Sequence, residues 1–293
     1  GVVAAAWRIR SIRLDRLSLQ SGVTCVICTT VITAALVAVG FHHVYFDRTN
    51  SPDMERFARF EFPTIGHVYD GNNQPFIEMA REHRRITEYE DIPPIVRNAI
   101  LAAEDKNFFS HSGIDYSVIP RVLGKVKVGT LLARLIGLER QDEVDNQVIF
   151  PQGGSTITQQ LVRGHFLQKL TAQENSGQLR HGGLLSRALS YAIGARSVNM
   201  LVRKMEEIRL SLWVEKEMQE RFGSKRRAKE EILARYASFI YMGNGQYGFA
   251  RAAEYYFGRP LTTFTVDDAD KAALLAGIAK SPLYYAPGAK DNE

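Results

Sequence analysis

Five clusters along the chain carry side chains able to do chemistry. The first runs from Glu104 through Asp105, Phe108, His111 and Gly113 to Asp115. A carboxylate at the end of an apolar helix lies half inside a core. Partial desolvation there suits a general base or a general acid. Pairing of Glu104 with Lys106 or Arg97 is the plainer alternative. The second cluster is Gly153, Gly154, Ser155, Thr156, Thr158, Gln159, Gln160 and Arg163. Thr156 followed three residues later by Gln159 is a capping-box spacing, so a helix starts here. Glycines before it permit close approach of a ligand, and a helix N-terminus suits a phosphate. Arg163, one turn on, adds a fixed positive charge.

The third cluster, Arg203, Lys204, Glu206 and Glu207, places Arg203 and Glu207 four apart on one helical face, where they can pair. A solvated charged face has the same pattern. The fourth runs from Lys229 through Ile232, Ala234, Tyr236 and Ser238 into Tyr241, Gly243, Gly245 and Gly248, a helix ending in an irregular glycine loop. The fifth is Leu274, Gly277, Lys280, Ser281 and Pro282, followed by Tyr284, Tyr285 and Pro287.

Elements must hold these clusters in place. Pro93 and Pro94 open a helix whose stripe of Ile95, Val96, Ala99, Ile100 and Ala103 ends near Glu104–Asp105. Helical spacing continues over Leu201–Phe222, Glu231–Met242 and Asp267–Ala279. Residues 65–73 read as a strand entering a turn at Asp70-Gly71, with a second short strand around Pro75–Met79. Residues 124–150 and 171–199 read as insertions; the second is either a linker or an amphipathic segment on a membrane.

The apolar run from Gly22 to Phe41 contains no charged residue. Twenty helical residues rise about 30 Å, the thickness of a bilayer's hydrocarbon core. Arg8, Arg10, Arg13 and Arg16 precede it against one acid, Asp15. This bias predicts an N-terminus inside the cell and a body outside. A cleaved signal peptide is the rival, but no small-residue cleavage site follows the run. The only cysteines, Cys25 and Cys28, fall inside the run, which excludes a disulfide framework or a thiol metal site in the body. The net charge of +5 over 293 residues suits an anionic partner, as does any basic surface. Both ends of the chain read as cuts in a longer protein.

In this order, behind one apolar span, the clusters resemble the peptidoglycan glycosyltransferase domain (glycosyltransferase family 51) of class A penicillin-binding proteins and monofunctional transglycosylases. The resemblance covers about Tyr69 to Pro287. Its most specific parts are Glu104-Asp105-x-x-Phe108-x-x-His111-x-Gly113-x-Asp115 and Gly153-x-Ser155-Thr156-Ile157-Thr158-Gln159-Gln160. It implies a mostly α, lysozyme-like fold with head and jaw lobes, a small N-terminal β element and one N-terminal transmembrane helix. The implied organisation is a cytoplasmic basic tail at 1–21, a transmembrane helix at 22–45, a linker with a short β-hairpin at 46–92 and the glycosyltransferase domain at 93–293.

The resemblance further implies polymerisation of lipid II on the outer face of a bacterial cytoplasmic membrane. Glu104 matches the catalytic base and Glu207 a second catalytic glutamate that positions the donor, with or without a divalent cation (Mg or Mn). No organic cofactor is implied. Asp105, Phe108, His111, Ser155, Thr156, Gln159 and Gln160 match residues around the substrate cleft. Arg163, Arg203 and Lys204 fit the pyrophosphate leaving group. The implied partners are lipid II, the growing polyprenyl-pyrophosphate-linked glycan, the bilayer and other cell-wall synthesis proteins, with no nucleic acid. The chain departs from the family pattern at Ala234 and Ser238, where a carboxylate and an amide are usual, at Arg163, where lysine is usual, and in a longer spacer before Arg203. A lytic transglycosylase, with Glu104 as acid, and a lipid II-binding scaffold are the alternatives.

Overall fold

A computed structural model describes residues 2–49, 51–59, 66–69, 75–79, 83–118, 120–121, 154–176, 190 and 194–288. These fall into two compact units, Gly1–Thr49 and Asn50–Glu293. The first is one helix, α1 (Val2–Tyr45). Its stretch Gln20–Tyr45 is long and apolar enough to cross a membrane. The helix continues back through the basic segment expected as a tail.

The second unit is mostly helical. Its early part holds α2 (Met54–Ala58), then β1 (Gly66–Tyr69), β2 (Pro75–Met79) and β3 (His83–Arg84). β1 and β2 pair antiparallel, with Val68 opposite Ile77. The Asp70-Gly71 turn between them lies outside the described residues. Asp53 caps α2 by accepting from the Glu55 amide at 2.8 Å. Residues 46–92, expected as a linker, contribute more than a tether: Phe57 and Ile92 are buried in the core of the second unit.

α3 (Pro94–Glu104) starts on proline, where the missing N–H costs nothing, and buries Val96 and Ile100 at helical spacing. It packs against α9 (Ala269–Lys280), and Lys280 Nζ donates to the Ala103 carbonyl at 3.3 Å, beside Glu104. α4 (Ile157–Phe166) begins with the full capping box: Thr156 Oγ1 accepts from the Gln159 amide, and Gln159 Oε1 accepts from the Thr156 amide. α5 (Gln168–Ser176) follows almost directly.

α6 (Ala195–Phe222) is the long central helix and ends on Gly223 in the left-handed region. It starts six residues before the expected Leu201, so part of the expected 171–199 insertion is helix at both edges. Residues 177–189 and 191–193 lie outside the described residues, as does 122–153, which contains the 124–150 insertion and Gly153. α7 (Lys225–Phe239) is capped by Ser224 Oγ, which accepts from the Arg227 amide. It starts and ends earlier than expected. β4 (Gln246–Tyr247) pairs parallel to β3; α8 (Phe249–Phe257) comes next, and after α9 the short α10 (Pro282–Tyr285).

α4, α6 and α7 pack mutually. Ile157, Leu161, Val214, Ile232, Leu233 and Tyr236 fill the space between them, joined by Phe108 and Phe249. Each fully buried large apolar side chain contributes roughly 1.5–3 kcal/mol of transfer free energy. That packing fixes the polar faces of α4 and α6.

Candidate active site

Glu104 is the last residue of α3 and is half-buried. Its Oε2 accepts from Gln160 Nε2 at 2.6 Å. Its Oε1 is buried and has no hydrogen-bond partner among the described residues. Neither alternative partner holds it. Lys106 is exposed, and the Arg97 guanidinium lies over the Tyr89 ring at 4.4 Å. A carboxylate with one oxygen tied and the other without a partner has an acceptor left for a proton.

Asp105 is buried next door. Its carboxylate accepts from His111 Nε2 at 2.9 Å and from the Ile157 amide at 3.2 Å. That amide is one of the orphan donors of the first turn of α4, so Asp105 ties the end of α3 to the positive end of α4. Thr156 Oγ1 donates to the Gly113 carbonyl at 2.7 Å. Gly113 has φ +88°, and a Cβ there would meet the Ser211 carbonyl oxygen at 2.9 Å. Only glycine lets the loop after Glu104 pass this close to α6.

Phe108, expected at the substrate cleft, is fully buried. It packs in the core with Lys229 Nζ 4.2 Å above its ring. Its role is therefore to support the Glu104 loop. His111 is also largely buried, facing Asp105 rather than a cleft. Thr156 and Gln159 are buried by the capping box that they form. Ser155 is half-buried and accepts from Lys204 Nζ at 2.7 Å.

The third cluster assembles around Glu207, whose side chain is 0% exposed. Arg203 Nη1 donates to one oxygen and Lys204 Nζ to the other, the latter at 3.0 Å. Arg163 Nη1 is 3.8 Å away. Lys204 also donates to Gln159 Oε1 at 3.2 Å. Arg203 gives its Nε to Glu174 of α5 and is only 10% exposed, so its guanidinium is engaged on two sides. Arg163 and Lys204 are more open, at 37% and 35%. Three cations face two carboxylates, which leaves a surplus positive charge beside the first turns of α4.

Burial pushes Lys204 below the ordinary lysine value, and the Glu207 charge offsets part of that shift. A divalent cation does not fit Glu207 as it stands. The cluster supplies cations around a single buried carboxylate, and hard cations seek several oxygen ligands. Among the described residues no group of three His, Cys, Asp or Glu side chains is disposed to hold a metal.

α4 thus serves both halves of the site. Gln160 reaches Glu104, while Gln159 and Arg163, on the next faces, reach the cations and Glu207. Beneath it, Thr158 Oγ1 and Lys229 Nζ both donate to Glu215 Oε1 at 2.5 Å, a buried polar tie joining α4, α6 and α7. Nothing local in the sequence announces this tie, because its members are far apart in the chain. Glu174 likewise lay in a stretch read as an insertion. The altered fourth cluster is internally satisfied. Ser238 Oγ donates to the Ala234 carbonyl at 2.9 Å and accepts from the Thr87 amide at 3.0 Å.

The domain thus sets a half-tied glutamate and a cation-rich cluster along one helix, α4. The family model described as Transglycosylase matches residues 72–133 and 141–293, and the chain belongs to that family. Among curated proteins the chain is similar to penicillin-binding protein 1A of Streptococcus oralis, 29% identical over 258 residues, which is 88% of this chain and 32% of that protein. It is also similar to penicillin-binding protein 1A of Pseudomonas aeruginosa, 26% identical over 260 residues, covering 89% of this chain and 24% of that one. The match to penicillin-binding protein 1A of Aquifex aeolicus is 27% over 239 residues, or 81% and 25%. The chain spans about a third or less of the length of these curated relatives.

Proposed function

We propose that this chain polymerises lipid II into linear peptidoglycan strands, with Glu104 as the base. The observation that carries the reading is the split environment of the Glu104 carboxylate: Oε2 accepts from Gln160, and Oε1 is buried and unpartnered among the described residues. Oε1 takes the proton of the GlcNAc 4-hydroxyl of lipid II. The hydroxyl oxygen attacks C1 of the terminal MurNAc of the growing strand. The bond from C1 to the pyrophosphate oxygen breaks with inversion, giving a β-1,4 link. The electron pair leaves with the polyprenyl pyrophosphate.

That leaving group needs fixed positive charge where its own charge develops. Arg163 and Lys204 supply it from the open side of the cation cluster, and Arg203 backs them. Glu207 holds these three like charges together. The span at Gln20–Tyr45 anchors the domain on the outer face, with the N-terminal arginines inside. Both substrates are lipids, so confinement to the same bilayer raises their effective concentration.

The test is a polymerisation assay with purified lipid II. The wild-type chain should form polymer. Glu104→Gln should form none while still binding lipid II, since the amide keeps the shape and cannot accept the proton as a base. Inertness toward lipid II combined with cleavage of finished glycan would assign Glu104 the opposite job, as an acid in a lytic enzyme.

A further inference from the structure

The base cannot present Oε1 unless its carboxylate is kept from turning. Among the described residues, Gln160 makes the one hydrogen bond that holds it, at 2.6 Å through Nε2. A glutamine amide has two unlike ends, and either can face a neighbour. Here the other end, Oε1, faces the Tyr236 hydroxyl at 3.5 Å, longer than an ordinary O–H···O hydrogen bond. A carboxylate only accepts, and a phenol can donate. The pair of neighbours therefore admits one sense of the amide: nitrogen toward Glu104, oxygen toward Tyr236.

Tyr236 itself is 1% exposed, in the last turn of α7, among Ile232, Leu233 and the core of the domain. A phenylalanine would fill the same space. A hydroxyl buried this deep costs free energy unless it is used. Gln160 is the partner that uses it. Burial, with the Glu104 charge nearby, holds the phenol well above the ordinary tyrosine range, so it remains a donor.

We propose that Tyr236 is a positioning residue for the base, acting through Gln160 to fix which oxygen of Glu104 takes the proton. This rests on Glu104 being the base of lipid II polymerisation. It also moves Gln160 from the substrate-binding set to the support of Glu104.

The experiment measures kcat, KM and the pH dependence of kcat/KM for lipid II polymerisation by the full chain. Wild type, Tyr236→Phe, Gln160→Met and the double variant are compared, with Glu104→Gln as the inactive control. Tyr236→Phe should lower kcat about three- to tenfold, the effect of one modest hydrogen bond, with KM little changed. The acid limb of the profile should move to higher pH, because a carboxylate held less well by donors protonates more readily. Gln160→Met should show the same pattern, more strongly. In the double variant, Tyr236→Phe should add nothing to Gln160→Met, since two residues on one path are not additive.

The proposal is overturned if Tyr236→Phe costs the same factor with and without Gln160, or if KM rises while the acid limb stays. Wild-type rates in both single variants would overturn it equally. Should Tyr236→Phe fail to fold, Gln160→Met alone decides, through the acid limb. A wild-type chain that makes no polymer defeats the underlying functional reading; an active wild type, a dead Glu104→Gln and an unaffected Tyr236→Phe defeat only this one.

Discussion

Lys204 ties the chemistry of the cation cluster to pH. It is only partly exposed, donates to Ser155, Gln159 and Glu207, and is pushed below the ordinary lysine value by burial. A lysine with a lowered value loses its charge as pH rises, and does so earlier than a free one. The alkaline fall of kcat/KM for lipid II should therefore begin below the ordinary lysine value of 10.5. Lys204→Arg should carry activity to higher pH, because a guanidinium stays charged there. A pH profile of the two proteins checks the sign. The same residue shows how far spacing alone reaches. Lys204 and Glu207 lie three apart, so their contact was legible. That Ser155 and Gln159 close the other side of the ammonium required α4 to be docked on α6.

At the scale of elements, the buried tie beneath the site carries a stability prediction. Lys229, Glu215 and Thr158 join α7, α6 and α4 through short hydrogen bonds in a place with almost no solvent. Removing one charge of such a pair leaves the other buried without compensation, at a cost of roughly 3–5 kcal/mol. Lys229→Met should lower stability by that order in chemical denaturation. Lys229→Met with Glu215→Leu should recover most of the loss, since an apolar replacement of the whole pair leaves no orphan charge. Helices and their caps were largely legible: the prolines before α3 and the Thr156–Gln159 box each act on their own neighbours. The helices α5 and the first turns of α6 were not. Their residues are polar or small, and packing against α4 and each other decides them.

The whole molecule consists of an apolar helix unit and a catalytic unit with its own core. A chain lacking residues 1–45 should keep the thermal transition of the catalytic unit. It should lose activity mainly on lipid II embedded in vesicles and much less on lipid II dispersed in detergent, because confinement acts only when enzyme and substrate share a surface. Equal losses in both media would mean that the helix supports the catalytic fold itself. As a member of the transglycosylase family, the molecule sets the Glu104 carboxylate and the cation cluster along one helix, α4.

The sequence by itself determined the order of the five clusters, the apolar span and the family they resemble. These are local matters of residue type and spacing, which chain neighbours settle without help. It also singled out many of the residues that the fold brings together around α4. Tertiary structure decided what each of them touches. Phe108 left the cleft for the core, Arg203 was taken up by Glu174 and Glu207, and Gln160 turned toward Glu104. Those outcomes depend on which helix faces which across the core, and on buried charges finding partners far along the chain. Such choices are made by packing and desolvation between elements, and no spacing within one element records them.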